Sequence, residues 1–185
     1  MRRRTVGLVA ALGFLASVVA ANYLTTRFGF VPVGFGLTAT AGTLAAGFAL
    51  ALRDATQDAL GRTTVAVAIL AGAGISFVIA DPFIATASAA AFLLSELADF
   101  AIYTPLRRRS HLGGKRWAAA VVASNTIGAI VDTAVFLGIA FGVGAIAPGA
   151  PGQLIGKGWA TLAYLAAGLV VSRAVLREPQ HAEGA

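Results

Sequence analysis

Cysteine is absent from the chain, so disulfides and thiolate metal sites are excluded. Histidine is nearly as scarce. His111 falls in a basic loop and His181 in the polar C-terminal segment, and no ligand cluster surrounds either. Neither a metal site nor a cofactor is expected. Charge is the third shortage: only 12% of residues are charged and 58% are apolar, whereas an average soluble domain is about half apolar and roughly a quarter charged. Mean hydropathy is +0.82. A soluble domain of 185 residues has no interior large enough for this apolar surface, so the chain reads as an integral membrane protein.

What is present is a series of long apolar runs. A bilayer takes about 20 residues of helix to cross, and six stretches meet that length: 5–24, 33–52, 63–80, 83–103, 117–145 and 154–175. Turn chemistry separates them, at Gly29 with Pro32, at Gly61, at Asp81-Pro82, at Pro105 and across 148–152. The expected fold is all-α: a polytopic membrane protein with six transmembrane helices over residues 1–177, followed by a mobile cytoplasmic tail at 178–185. Orientation follows from the loop cations. With the N-terminus inside, 12 of the 14 Lys and Arg residues are cytoplasmic; Arg27 lands outside and Lys157 falls at the edge of a span. Both termini are therefore expected in the cytoplasm and the chain in the inner (cytoplasmic) cell membrane. The run RRRSHLGGKR then sets topology and meets anionic lipid, so the net charge of +6 does not imply a nucleic-acid partner.

The start, MRRRTVGLVAALGFLASVVAAN, has a basic head and an apolar core like those of a signal peptide. Its apolar part is nearer 20 residues than the usual 7–15, which favours a retained first helix. Small residues crowd the spans, as in TATAGTLAAG and ATASAAA, and allow close backbone approach in lipid. Two three-helix halves would insert with opposite topology, as in an inverted-repeat transporter, although the halves share no residue-level similarity. A six-span protein of this size can also pair as a homodimer, but no residue specifies it.

Polar groups inside the apolar runs call for a reason, since a charged group at mid-bilayer costs about 2.5–3.5 kcal/mol on insertion scales. In the fourth run Glu96, Asp99 and Tyr103 share one helical face, and Ser88, Phe92 and Ser95 extend the stripe. In the fifth, Asn125, Gly128, Asp132 and Phe136 align; in the sixth, Lys157, Thr161, Tyr164 and Gly168. Asn22 and Tyr23 close the first. A plain structural role is open to Asp99 and Tyr103, which lie near the cytoplasmic end within reach of Arg107, and to Lys157, which could snorkel. Glu96 and Asp132 have no such outlet. Three acids then face one base, and either burial keeps some carboxyls protonated or a cation or a donor-rich ligand completes the site. Carboxylates, an amide, a lysine and aromatic faces suit a flat, polar heterocycle.

Three stretches carry a resemblance: SELADFAIYTPLRRR at 95–109, SNTIGAIVDTAVF at 124–136 and RDATQDALGR at 53–62. In these the chain resembles the queuosine-precursor transporter family, also called the vitamin-uptake (VUT) transporter family, over nearly its whole length. The resemblance implies import of 7-cyano-7-deazaguanine or its aminomethyl relative, precursors of the modified tRNA base queuosine and, in some settings, of deazaguanine-modified DNA. Such a deazapurine offers N1–H and 2-amino donors that Glu96 or Asp132 would accept as a bidentate pair. Its O6 would suit Asn125 or Lys157, and its ring would stack on Phe92, Tyr103 or Tyr164. The candidate substrate-binding set is therefore Asn22, Glu96, Asp99, Tyr103, Asn125, Asp132, Lys157 and Tyr164.

Two other classes compete. One is the substrate-binding subunit of an energy-coupling-factor vitamin importer, which docks on a partner through small residues four apart, a spacing that Ala16 and Ala20 share with much of the alanine-rich first helix. The other is an intramembrane aspartyl enzyme. Such enzymes need a Gly-x-Gly-Asp context, whereas Asp99 sits in LADF and Asp132 in IVDT, so no enzyme is expected.

Overall fold

The computed structural model describes the backbone of residues 2–107 and 114–176 and the side chains of residues 4–98 and 114–169. The expected tail at 178–185 lies outside the described residues. Among the described residues there are six α-helices: α1 (Arg2–Phe28), α2 (Thr43–Leu60), α3 (Arg62–Ile79), α4 (Pro82–Arg107), α5 (Lys115–Phe141) and α6 (Ile146–Leu176). Among the described residues, α1, α3 and α5 contain stretches that are by themselves long and apolar enough to cross a bilayer. The chain is a helical, multi-pass membrane protein.

The α3–α4 joint shows local sequence fixing a helix start. Asp81 Oδ1 accepts from the backbone N–H groups of Phe83 and Ile84, both at 2.9 Å. Pro82 needs no N–H partner at the first helical position. The Asp81 amide in turn donates to Thr26 Oγ1 at 3.0 Å, which ties this joint to the end of α1.

Between α1 and α2 the expected second span is not one helix. Residues Phe30–Gly34 (β1) and Leu37–Thr40 (β2) pair as an antiparallel hairpin, and α2 begins only at Thr43. Val31, Val33, Thr38 and Thr40 are β-branched and favour extended backbone. Gly34 and Gly36, with φ of +102° and +72°, make the turn that an L side chain rarely adopts. Apolar surroundings require backbone groups to be satisfied internally, and the hairpin does this by pairing with itself. Trp159 adds an anchor: its Nε1 donates to the Val33 carbonyl at 3.3 Å, and its ring stacks on Phe35 with centroids 6.3 Å apart.

Consequently α2 runs through 53–60, the part expected as a cytoplasmic loop, and only Gly61 separates it from α3. Other breaks also shift. Helix α4 continues past Pro105 to Arg107. Helix α5 stops at Gly142, and a single 3-10 turn (Val143–Ala145) leads directly into α6. The expected loop at 148–152 is the first part of α6; Pro148 falls in its opening turn, where a missing N–H costs little.

The core joins five helices. Phe14 and Val18 of α1 pack with Leu50 of α2, Val65 and Ile69 of α3, Phe92 of α4 and Ala129 of α5. Helix α4 lies along α5 and α1 along α2, while α6 closes against α2, α5 and the hairpin. The last contact depends on a bare glycine. A Cβ on Gly47 would stand 2.7 Å from Ala160 Cβ and 2.8 Å from Lys157 Cα, so only hydrogen at this position lets α2 seat α6 in register.

Candidate functional site

The Gly47 contact brings Lys157 inside the bundle. Lys157 is 2% exposed, and its Nζ donates to Asp132 Oδ2 at 2.5 Å and to Thr133 Oγ1 at 2.7 Å. Lys157 does not snorkel: it neutralises the carboxylate opposite. Helical spacing accounts for the rest of the α5 face, since Asn125, Gly128, Asp132 and Phe136 are all buried as one stripe.

Asp132 lines a small, partly open cavity to which α1, β2, α2, α4, α5 and α6 all contribute. Its polar wall comprises Asn22, Thr25, Thr40, Thr43, Ser88 and Gln153, and its aromatic wall Phe92 and Phe136. The groups are mutually ordered. Asn22 Nδ2 donates to Ser76 Oγ at 3.0 Å. Thr43 Oγ1 donates to Gln153 Oε1 at 2.9 Å, and Gln153 Nε2 donates to Thr40 Oγ1 at 2.9 Å. The free space is about 20 Å³, room for about one water. In this conformation the polar centre is narrow.

A second ionic cluster lies apart from the cavity. Arg53 Nη2 donates to Asp54 Oδ1 at 3.0 Å and to Ser124 Oγ at 3.3 Å. Its Nη1 stands 3.3 Å from Glu96 Oε2. Arg53 and Asp54 are wholly buried, and Glu96 is 6% exposed. Burying these charges is tolerable because each acid stands against the Arg53 cation, which also hydrogen-bonds Asp54 and Ser124.

The sequence-derived set therefore divides. Asn22 and Asp132 share the cavity, with Lys157 bound to Asp132 behind its wall. Ser88 and Phe92, the extension of the α4 stripe, line it too. Glu96 does not line this cavity and belongs to the Arg53 cluster. Asn125 faces a separate groove between α5 and α6. Tyr164 packs beside Trp117 with ring centroids 6.1 Å apart, away from both. The side chains of Asp99 and Tyr103 are outside the described ones.

The count of three acids against one base also changes: Arg53 is a second buried base and Asp54 a further buried acid. Neither is a loop residue, as the cytoplasmic assignment of Arg53 had required. Sequence reasoning also passed over Thr40, Thr43 and Gln153. A signal for α2 did exist, because Thr43, Gly47, Leu50 and Asp54 recur at helical spacing and mark one continuous face.

The model of the family described as "Putative vitamin uptake transporter" matches residues 80–176. That segment holds Glu96, Asn125, Asp132, Gln153 and Lys157: the whole Asp132–Lys157 cluster, the Glu96 part of the Arg53 cluster, and the α4, α5 and α6 walls of the cavity. No curated protein and no solved structure matches the chain. The match covers more than half of the chain, and its transport assignment agrees with a helical bundle that encloses a polar centre: the chain belongs to the vitamin uptake transporter family, a multi-pass membrane transporter of small molecules and not an enzyme.

Proposed function

We propose that this transporter imports a 7-deazaguanine queuosine precursor, 7-cyano-7-deazaguanine or its aminomethyl relative, across the inner cell membrane. Six helices span the bilayer in this reading, with both termini cytoplasmic. The observation that carries it is Asp132, a carboxylate held by Lys157 at the wall of an interior cavity that also presents amides, hydroxyls and two phenyl rings. A carboxylate accepts the N1–H and 2-amino donors of the base as a bidentate, charge-assisted pair. The amide of Gln153 or Asn22 suits O6, and Phe92 and Phe136 offer faces for the ring. Analogues lacking those donors would leave buried groups unpaired and be rejected.

A cavity too narrow for the base in this conformation fits an alternating-access cycle in which the bundle opens to either side around a fixed site. Widening the cavity would loosen the Thr40–Gln153–Thr43 bonds, which join the α6 wall to the hairpin and α2 walls.

The test uses a host that neither makes nor imports the precursor and has no energy-coupling-factor importer. Nanomolar 7-cyano-7-deazaguanine is supplied and queuosine in tRNA is measured. The chain alone restores modification, and Asp132→Asn at equal membrane expression loses it. Wild-type protein that binds the base yet gives no uptake without a partner would instead mark a substrate-binding subunit. Absence of both binding and uptake refutes the substrate.

A further inference from the structure

The Asp132–Lys157 pair has two sides. Asp132 lines the central cavity, while Lys157 lines a groove between α5 and α6 that is distinct from it. The groove has a volume of about 310 Å³, at the lower end of the roughly 300–1,000 Å³ range of small-molecule sites. The central cavity in this conformation admits about one water-sized group. Of the two spaces, the groove is the one that holds a bicyclic ring without rearrangement.

Its wall is mainly apolar, but its floor is not. Asn125 is 2% exposed and lines the groove. Its Nδ2 donates to Thr161 Oγ1 at 3.2 Å, and Thr161 gives its only hydroxyl proton to the Lys157 carbonyl at 3.1 Å. Thr161 therefore has no proton left for an oxygen, and the Asn125 atom facing it must be nitrogen. That fixes the amide orientation and leaves Asn125 Oδ1, a buried acceptor, with no partner among the described residues. A buried polar atom left unpaired costs about 1–3 kcal/mol, and an apolar lipid chain has nothing to donate to it. A donor-bearing ligand does.

We propose that the α5–α6 groove is a second ligand site, which takes a planar heterocycle through an N–H or amino donor to Asn125 Oδ1. The inference rests on the proposed heterocyclic substrate class and adds a lateral station for it, separated from the central cavity by the Asp132–Lys157 pair. Ligand in the groove and ligand in the cavity would contact opposite ends of one ion pair. Breaking that pair is then the event that joins the two spaces.

Gly158 provides the test variant, because it lines the groove and a Cβ there meets nothing within 4 Å. Gly158→Phe fills the space without displacing the bundle, and Asn125→Leu removes the acceptor. The full chain in phospholipid nanodiscs is titrated with 7-cyano-7-deazaguanine, guanine, indole and caffeine, the last being a planar purine with no N–H donor. Binding of at least one N–H heterocycle but not caffeine, weakened roughly five- to tenfold by Asn125→Leu as for one lost hydrogen bond and abolished by Gly158→Phe, is the expected result. Equal binding in wild type and both variants overturns the groove site and leaves the import assay to judge the substrate. Failure of every N–H probe to bind, or loss of a co-purified phospholipid as the only effect of Gly158→Phe, also overturns it. Guanine or indole bound in the groove with 7-cyano-7-deazaguanine excluded upholds the site and refutes the substrate.

Discussion

Replacing Lys157 by Met removes the cation but keeps a long apolar stem in nearly the same space. Asp132 is then left as a buried carboxylate without its partner, and Thr133 Oγ1 loses the ammonium donor that stands 2.7 Å away. Breaking one side of a buried pair costs about 3–5 kcal/mol, whereas replacing both partners by well-packed apolar groups is often neutral or stabilising. For a chain of this length about 1 kcal/mol corresponds to roughly 2–4 °C in Tm. Lys157→Met is thus expected to lower the melting temperature by about 6–20 °C, and Asp132→Leu/Lys157→Met to recover most of that loss. Purified protein in nanodiscs, followed by tryptophan fluorescence on heating, measures both, since Trp117 and Trp159 lie on the two helices concerned. The double variant is expected to be stable but inactive in precursor uptake. A double variant as unstable as the single one would refute the claim that the two charges exist for each other. A stable double variant with full uptake would remove the pair from the transport path.

The Arg53 cluster makes a different prediction. Arg53→Met removes the cation that Asp54 and Glu96 share and is expected to cost about 3–5 kcal/mol, seen as a sharp fall in folded protein by size-exclusion fluorescence; Glu96→Gln, which leaves the Arg53–Asp54 bond intact, is expected to cost less than half as much. At the α2–α6 contact, Gly47→Val forces a branched side chain against Ala160 and the Lys157 backbone. Overpacking of this kind costs about 1–3 kcal/mol, and uptake is expected to fall further than Tm does because Lys157 is displaced from Asp132.

Much of the site was legible as periodicity. Asn125, Asp132 and Phe136 are separated by helical intervals, and a helix in lipid has to turn such a stripe inward, so their shared burial follows from spacing alone. The same holds for Ser88 and Phe92 on α4. What periodicity could not supply was the partner of each charge. Arg53 read as a loop cation because topology reasoning assigns basic residues to the ends of spans, and the residues before it form a hairpin that shifts α2 toward the C-terminus. Asp54, its neighbour, is neutralised locally, so the adjacent pair gives a weak hydropathy signal in either setting. Gln153 was hidden by the glycines and prolines around it, which resemble a turn yet are tolerated at the start of α6.

The sequence by itself determined the solvent of this protein and the faces of its helices. Too few charges and too many apolar residues leave only the bilayer, and helical geometry then dictates which side chains look inward. Tertiary structure alone decided which inward groups meet. Glu96 and Asp132 are both buried acids on adjoining helices, but one is bound by Arg53 and the other by Lys157. That choice depends on how far each helix slides along its neighbours, down to the missing Cβ of Gly47. Such offsets arise from close packing between segments remote in the chain, and no local pattern records them.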